Sequence, residues 1–514
     1  MEKLLKRLLS RTFIVGFLIF VQFVILMAGI WKLSEDFVYL YFLFIAISIV
    51  VFIYIVSRKD NPSYKLAWAV PVLLVPVFGG LFYLIFGGNK TSKTFRKQIQ
   101  ASYDETEHLL YNDGKVLEEL ERIDKSIANQ SRYIADYSQF PVYKNTITEY
   151  LSPGEEFFER LKEELKKAKH YIFMEYFIVH EGVMWNSILN ILEEKVKEGV
   201  EVRFVYDDMG CLSTLPYKYN EVLESKGIKC MVFNPFVPLL SLRMNNRDHR
   251  KITVIDGHTG FTGGINLGDE YINEIVRFGH WKDASIMLKG DAVWNLTVMF
   301  LQTWNFNNID DRERESYEKY YPYFYHEEEF ESDGYVQPYG DSPLDDEIVG
   351  ENVYLNIINK AKDYVYINTP YFIVDNELVT ALTLAAKSGV DVRVVTPHIE
   401  DKWYAHIVTR AYYPQLIEAG VKVYEYTPGF IHSKTFVSDD EVGTVGSINM
   451  DYRSLYLHFE CGVWLYKTKS VMQIKKDYLE TLEKCQRITM NDCSKIKLPT
   501  RILRAVIRVF APLM

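Results

Sequence analysis

Cysteine is scarce in this chain: five in 514 residues, at Cys211, Cys230, Cys461, Cys485 and Cys493. Their spacings fit no CxxC or zinc pattern and their number is odd. That excludes a disulfide framework and a thiolate zinc site, and leaves reduced structural thiols in a cytosolic compartment. Positive charge is also in short supply. The net charge of -10 excludes a general nucleic-acid binder, whose faces are basic, although a local basic pocket for one phosphate is compatible with it. No carboxylate cluster of the kind magnesium requires stands out either. Hydrophobic residues at 48% and charged residues at 25% rule out wholesale disorder. The length accommodates two or three domains at roughly 100–200 residues each.

Long apolar runs, in contrast, are plentiful near the amino terminus. Residues 12–31 are apolar apart from Gln22, and residues 37–56 form a second such run. About 20 apolar residues suffice to cross a bilayer, so residues 1–60 read as a transmembrane hairpin rather than a cleaved signal peptide. Lys3, Lys6, Arg7 and Arg11 precede it, and Arg58 and Lys59 follow it. Positive charge stays on the cytoplasmic side, which points both ends inward. Residues 61–88 hold a third run broken by Pro71, Pro76 and Gly79-Gly80, which disfavours a simple spanning helix. With basic residues on both flanks, the expectation is a re-entrant or interfacial segment.

Residues 89–135 are charged and helix-prone and read as a solvated connector. From residue 136 onward, strand-like runs alternate with amphipathic helical stretches: a strand at 171–178, a helix at 185–197, a strand at 200–206. This rhythm predicts an α/β fold with a sheet flanked by helices. It then repeats. Glu175-Tyr-Phe-Ile-Val179 matches Pro370-Tyr-Phe-Ile-Val374, and Gly199-Val-Glu-Val-Arg203 matches Gly389-Val-Asp-Val-Arg393. The expected halves are 136–330 and 331–498. The first carries about ten extra residues between Phe236 and Asp248, an insert that reads equally as a lipid contact or a surface loop. Residues 499–514 form a tail in which Arg501, Arg504 and Arg508 recur at three and four residues, with Leu503, Ile507 and Phe510 on another face. Such a helix lies on anionic lipid or packs on the domain.

The repeat is sharpest in one phrase. His249-Arg-Lys251, four residues, Asp256, six residues, Gly263-Gly-Ile-Asn266 recurs as His432-Ser-Lys434, four residues, Asp439, six residues, Gly446-Ser-Ile-Asn449. In a strand, residues i and i+2 share a face, so each imidazole emerges beside an ammonium. That combination suits a phosphate: lysine brings charge and donors, and histidine a nucleophile or acid near neutral pH. Asn266 and Asn449 add amide donors. Asp256 and Asp439, counted with the catalytic residues as part of the motif, lie an odd number of steps from their lysines; on a continuous strand they face away, where pairing or turn-capping would hold them. A nucleophilic histidine also needs a carboxylate on its other ring nitrogen. Glu460 lies 28 residues after His432; at that spacing from His249 stands Arg277, which cannot serve, and Asp283 is the nearest substitute.

The doubled motif resembles the phospholipase D superfamily, and with the apolar leader, Asn61-Pro62-Ser63 and the terminal Pro512-Leu-Met the chain is similar to the bacterial cardiolipin synthases of that superfamily. The resemblance implies two tandem phospholipase D-like halves forming one pseudo-twofold catalytic unit behind a helical membrane region. It implies a multi-pass cell-membrane enzyme with its catalytic part on the cytoplasmic side. It implies phosphatidyl transfer between two phosphatidylglycerols through a phosphatidyl-histidine, with His249 as nucleophile, His432 as acid and base, and Lys251, Lys434, Asn266 and Asn449 on the phosphate oxygens. No cofactor or metal is implied, because the lysines supply the positive charge. Hydrolysis, or transfer to another alcohol, stays open as the rival chemistry. The pattern departs from the superfamily at Gly264, where serine is usual and Ser447 stands in the second copy, and in the carboxylate spacing; the two halves are therefore expected to be unequal.

Overall fold

The structure, a computed structural model, describes residues 11–36, 38–87, 93–110, 114–236, 245–307, 317–326, 329–332, 334–344 and 347–513. Residues 237–244 of the insert lie outside the described residues, as does Met514.

Two mixed sheets carry the same strand order. In the first, Thr146–Leu151 is followed by Ser285–Gly290, Thr259–Gly263, Lys251–Ile255, Tyr171–Tyr176, Glu201–Asp207 and Lys229–Phe233. In the second, the order is Tyr335–Asp341, His458–Tyr466, Val442–Gly446, Thr435–Ser438, Tyr364–Asn368, Asp391–Pro397 and Lys422–Tyr426, with Cys485–Ile488 added at the edge. Within each sheet the last three common strands run parallel and the others antiparallel. Helices Val183–Lys197 and Asn376–Lys387 make the matching crossovers, as expected where βαβ units build the parallel part. Strands Tyr171–Tyr176 and Tyr364–Asn368, apolar and aromatic but for Glu175 and Asn368, are buried along their length, the pattern of strands covered on both faces.

Two short parallel pairings join the halves. Arg247–Asp248 pairs with His458–Phe459, and Gly429–Ile431 pairs with His280–Lys282. They are related by the internal repeat, and each runs directly into a His-x-Lys motif. The core is shared: residues of both halves belong to one buried cluster, with helix Val293–Asn307 at its centre.

The connector segment departs from expectation. Helices Lys93–Thr106, Lys115–Ile123 and Lys125–Ser138 occupy it, and Leu120, Ile127, Ala128 and Ile134 are buried in the shared core. The charged residues cover one face, and the apolar residues at helical spacing cover the core on the other.

Among the described residues one helix, Val38–Ser57, is long and apolar enough to cross a membrane. Arg11–Asp36 precedes it, with a shorter apolar stretch at Gly16–Lys32. The third apolar run forms two helices, Pro62–Leu74 and Pro76–Phe86, which break at Val75 ahead of Pro76. Proline disfavours helix at the residue before it, which accounts for the break. The second helix folds back on the first and on Val38–Ser57. A Cβ on Gly79 would stand 2.5 Å from the Val72 backbone, and one on Gly80 2.8 Å from that of Ser48. Glycine is what allows the helices to approach so closely.

Candidate active site

The two pairings between the halves decide which groups meet. His249 N–H donates to the Phe459 carbonyl at 2.9 Å, and His432 N–H to the Lys282 carbonyl at 2.7 Å. Each histidine therefore lies beside the strand of the opposite half. His249 Nδ1 meets both carboxylate oxygens of Glu460, at 2.9 and 3.0 Å, and His432 Nδ1 meets Asp283 Oδ2 at 2.6 Å. Both carboxylates are fully buried and both histidines nearly so. The carboxylates are thus exchanged across the pseudo-twofold rather than paired within a half. In each pair the carboxylate engages Nδ1, which leaves Nε2 as the nitrogen available to a substrate.

Strand register shows why Arg277 is the wrong counterpart of Glu460. Gly263 aligns with Ser285 and Gly446 with Gly462, so Asp283 and Glu460 occupy the same place, two residues earlier. The first half simply spends six more residues between its asparagine and its carboxylate, including the turn Asp269–Ile272. Arg277 stands largely exposed, 3.6 Å from Glu270. The Gly264 departure has its reason here too. A Cβ on Gly264 would lie 2.2 Å from Asp283 Oδ1, whereas Ser447 Oγ donates to Glu460 Oε2.

Both histidines and both asparagines line one cavity of about 1250 Å³. Asn266 is fixed: its Oδ1 accepts from Ile178 N–H at 3.0 Å, and its amide donates to Tyr271 Oη at 2.8 Å. Asn449 Oδ1 is buried without a protein partner. Lys251 and Lys434 are buried, each donating back to the carbonyl of the histidine two residues before it. Burial pushes Lys251 down to about 7 and Lys434 down to about 8, against the pull of Glu460 and Asp283. An anion in the cavity would restore their charge. Burial likewise lowers both imidazoles and raises Glu460 to about 8.

Asp256 and Asp439 stand apart from this chemistry. Asp256 accepts from the backbone N–H of Lys169, His170 and Tyr171, each at 2.8 Å. Asp439 accepts from those of Lys362, Asp363 and Tyr364 at 2.7 to 3.0 Å. Both have positive φ, 50° and 54°, at the turn after the motif strand. They tie that turn to the start of the neighbouring antiparallel strand, so their grouping with the catalytic residues is corrected to a structural role. Asp256→Ala is expected to lower unfolding stability by about 2–4 kcal/mol, from orphaned donors and a left-handed alanine. Folded variant protein should retain kcat within about threefold. Urea unfolding followed by turnover per mole of folded enzyme checks both.

Sequence reasoning missed His458. It is buried, neither ring nitrogen has a hydrogen-bond partner, Nδ1 stands 3.8 Å from Glu460 Oε1, and its ring centroid is 5.4 Å from that of His249. The corresponding place in the other half is Trp281, whose ring lies 5.2 Å from that of His432. The signal was the position two residues before each carboxylate, in Trp281-Lys-Asp283 and His458-Phe-Glu460. Among the described residues, His249, His458 and Glu460 form the group able to hold a metal, with ligand atoms within 4.8 Å of one another. Such a set suits zinc, but Lys251 and Lys434 beside it oppose a dication.

Comparison with known proteins places this geometry. Residues 161–276 and 354–482 match the family described as cardiolipin synthase, phospholipase D-like domain, and residues 46–88 match the phospholipase D-nuclease N-terminal family. A cardiolipin synthase of Halalkalibacterium halodurans is 36% identical over 90% of this chain and 92% of its own length. One from Alkalihalophilus pseudofirmus is also 36% identical, over 90% and 92%. An uncharacterized protein of Streptococcus mutans is 45% identical over 90% of this chain and 99% of its own. The crystal structure of phosphatidylserine synthase from Haemophilus influenzae superposes with a TM-score of 0.55 at 13% identity, covering 75% of this chain and 100% of that one; it shares the fold. With both domain matches falling on the two His-x-Lys halves, the chain belongs to the cardiolipin synthase family of the phospholipase D superfamily, a family of phosphatidyltransferases.

Proposed function

We propose that this enzyme makes cardiolipin and glycerol from two phosphatidylglycerols by way of a phosphatidyl-histidine. The observation that carries the reading is the exchanged pair of His–carboxylate contacts on one cavity, His249–Glu460 and His432–Asp283. A displacement at phosphorus that retains the phosphatidyl group needs a nucleophile on one side and a proton donor on the other.

His249 Nε2 attacks phosphorus, and the bond to the departing glycerol oxygen breaks. His432, doubly protonated once the phosphodiester anion is bound beside it, gives that oxygen its Nε2 proton and glycerol leaves. A hydroxyl of the second phosphatidylglycerol then gives its proton to His432 and attacks the same phosphorus. The phosphorus–nitrogen bond breaks and His249 is restored. Lys251, Lys434, Asn266 and Asn449 hold the remaining phosphoryl oxygens, where charge builds up in the transition state. The order of the histidines follows the family resemblance. Helix Val38–Ser57 and the apolar helices around it would anchor a multi-pass enzyme, with the basic flanks and the catalytic unit on the cytoplasmic side.

In mixed micelles of glycerol-labelled phosphatidylglycerol, the purified enzyme is expected to release one labelled glycerol per cardiolipin formed. Phosphatidic acid as the sole lipid product would replace this reading with hydrolysis, and no lipid turnover would refute it.

A further inference from the structure

The tail helix Leu498–Phe510 is mounted with its polar side inward. Arg504 donates to the Arg410 carbonyl at 3.5 Å, Arg508 donates to Gln415 Oε1 at 3.3 Å, and the Arg508 guanidinium lies 4.2 Å from the Tyr412 ring centroid. Arg501 donates back to the Ser494 carbonyl at 2.6 Å. Arg504 and Arg508 thus lie against helix Trp403–Glu418, while Arg501 stands exposed along with Leu498, Ile502, Leu503 and Val506. A helix that turns an apolar face out, with a cation at its end and two more turned in, is built for a membrane interface.

The rim of the active-site cavity continues that surface. Arg277, Phe278, Lys402, Trp403, Tyr404, Ile507 and Ala511 line the cavity. Beside them Val276 is 75% exposed, Trp403 56% and Ile275 49%. The Arg277 and Lys402 side chains are 61% and 50% exposed. Exposed aliphatic side chains beside tryptophan, tyrosine and cationic heads match the layering of a membrane interface. In each ion pair at this rim, Arg277–Glu270 at 3.6 Å and Lys402–Asp401 at 3.8 Å, the cation is the more exposed partner, which fits an anionic leaflet. The tail helix packs in turn on Pro62–Leu74, which packs on the span-length helix Val38–Ser57. The surface is therefore continuous with the apolar leader.

We propose that residues 275–278, residues 399–404 and the outer face of Leu498–Phe510 insert together into the interface of an anionic bilayer, placing the cavity mouth against the leaflet. A phospholipid then enters headgroup first while its acyl chains stay in the bilayer. The proposal rests on the lipid substrate proposed above.

The full-length enzyme in phosphatidylglycerol–phosphatidylcholine vesicles tests it. Benzoylphenylalanine at position 276 or 502 is expected to cross-link radiolabelled phosphatidylglycerol on irradiation, while the same group at position 384, an exposed site on Asn376–Lys387, gives less than a tenth of that adduct. Ile275→Ser with Val276→Ser is expected to reduce turnover of vesicle lipid about tenfold and leave turnover of monomeric short-chain phosphatidylglycerol unchanged. Chain-to-chain adducts in place of lipid adducts would assign the surface to a second copy and overturn the proposal, as would equal effects of the double variant on both substrates. If the wild type turns over neither lipid, the functional reading fails instead.

Discussion

Glu460→Gln is expected to lower kcat by about 10³- to 10⁴-fold, the scale on which loss of the carboxylate behind a catalytic imidazole acts in other enzymes. Both Glu460 oxygens lie at hydrogen-bond distance from His249 Nδ1. Glutamine keeps the volume and one acceptor, but its amide can donate to Nδ1. It then stabilises the tautomer that carries hydrogen on Nε2, where the attacking lone pair is required. The Ser447 hydroxyl and the strand pairing to Arg247–Asp248 remain, so the variant should fold with an unchanged circular dichroism spectrum. Steady-state turnover of phosphatidylglycerol gives the fold-change. A loss under tenfold would mean that Glu460 does not orient the nucleophile, and a loss of similar order in Asp283→Asn is expected because that carboxylate likewise engages Nδ1 of its histidine.

Gly264→Ala is expected to cost at least about 10²-fold in kcat, although it adds a single methyl group. The new Cβ would fall 2.2 Å from Asp283 Oδ1 and 3.0 Å from its carboxyl carbon. A real side chain does not tolerate such a contact, so the Asp283 carboxylate must turn away from His432, and a displacement of about 1 Å in catalytic geometry is felt strongly. Ser447→Ala, the related change in the other half, removes one hydroxyl donor from Glu460 without a clash. It should cost about tenfold. Near-identical effects of the two changes would contradict the account of why the motif reads Gly-Gly in one half and Gly-Ser in the other.

Much of this site was legible in the sequence. The duplicated His-x-Lys phrase identified both histidines, both lysines and the two-half architecture, because spacing within a strand and its turn is local. What depended on distant pairing was not legible. The exchange of carboxylates joins residues 211 positions apart, His249 and Glu460, and follows from two short strands that bridge the halves. The six-residue difference after Asn266 concealed the equivalence of Asp283 and Glu460, so that Arg277 stood in the wrong column. Asp256 and Asp439 travel with the motif because they lock its turn to the next strand, which motif spacing alone does not separate from chemistry. Residues 89–135 read as a solvated connector because their charge hides an apolar stripe, and a lone histidine such as His458 carries no periodic signal.

The division of labour between the two histidines is the central claim, and rapid-quench trapping with acyl-labelled phosphatidylglycerol, followed by peptide mapping of the phosphatidylated enzyme, tests it most directly. The label is expected on the peptide containing His249 in the wild type and absent from His249→Ala. Label on the His432 peptide, or a His249→Ala enzyme that still becomes phosphatidylated, would contradict it.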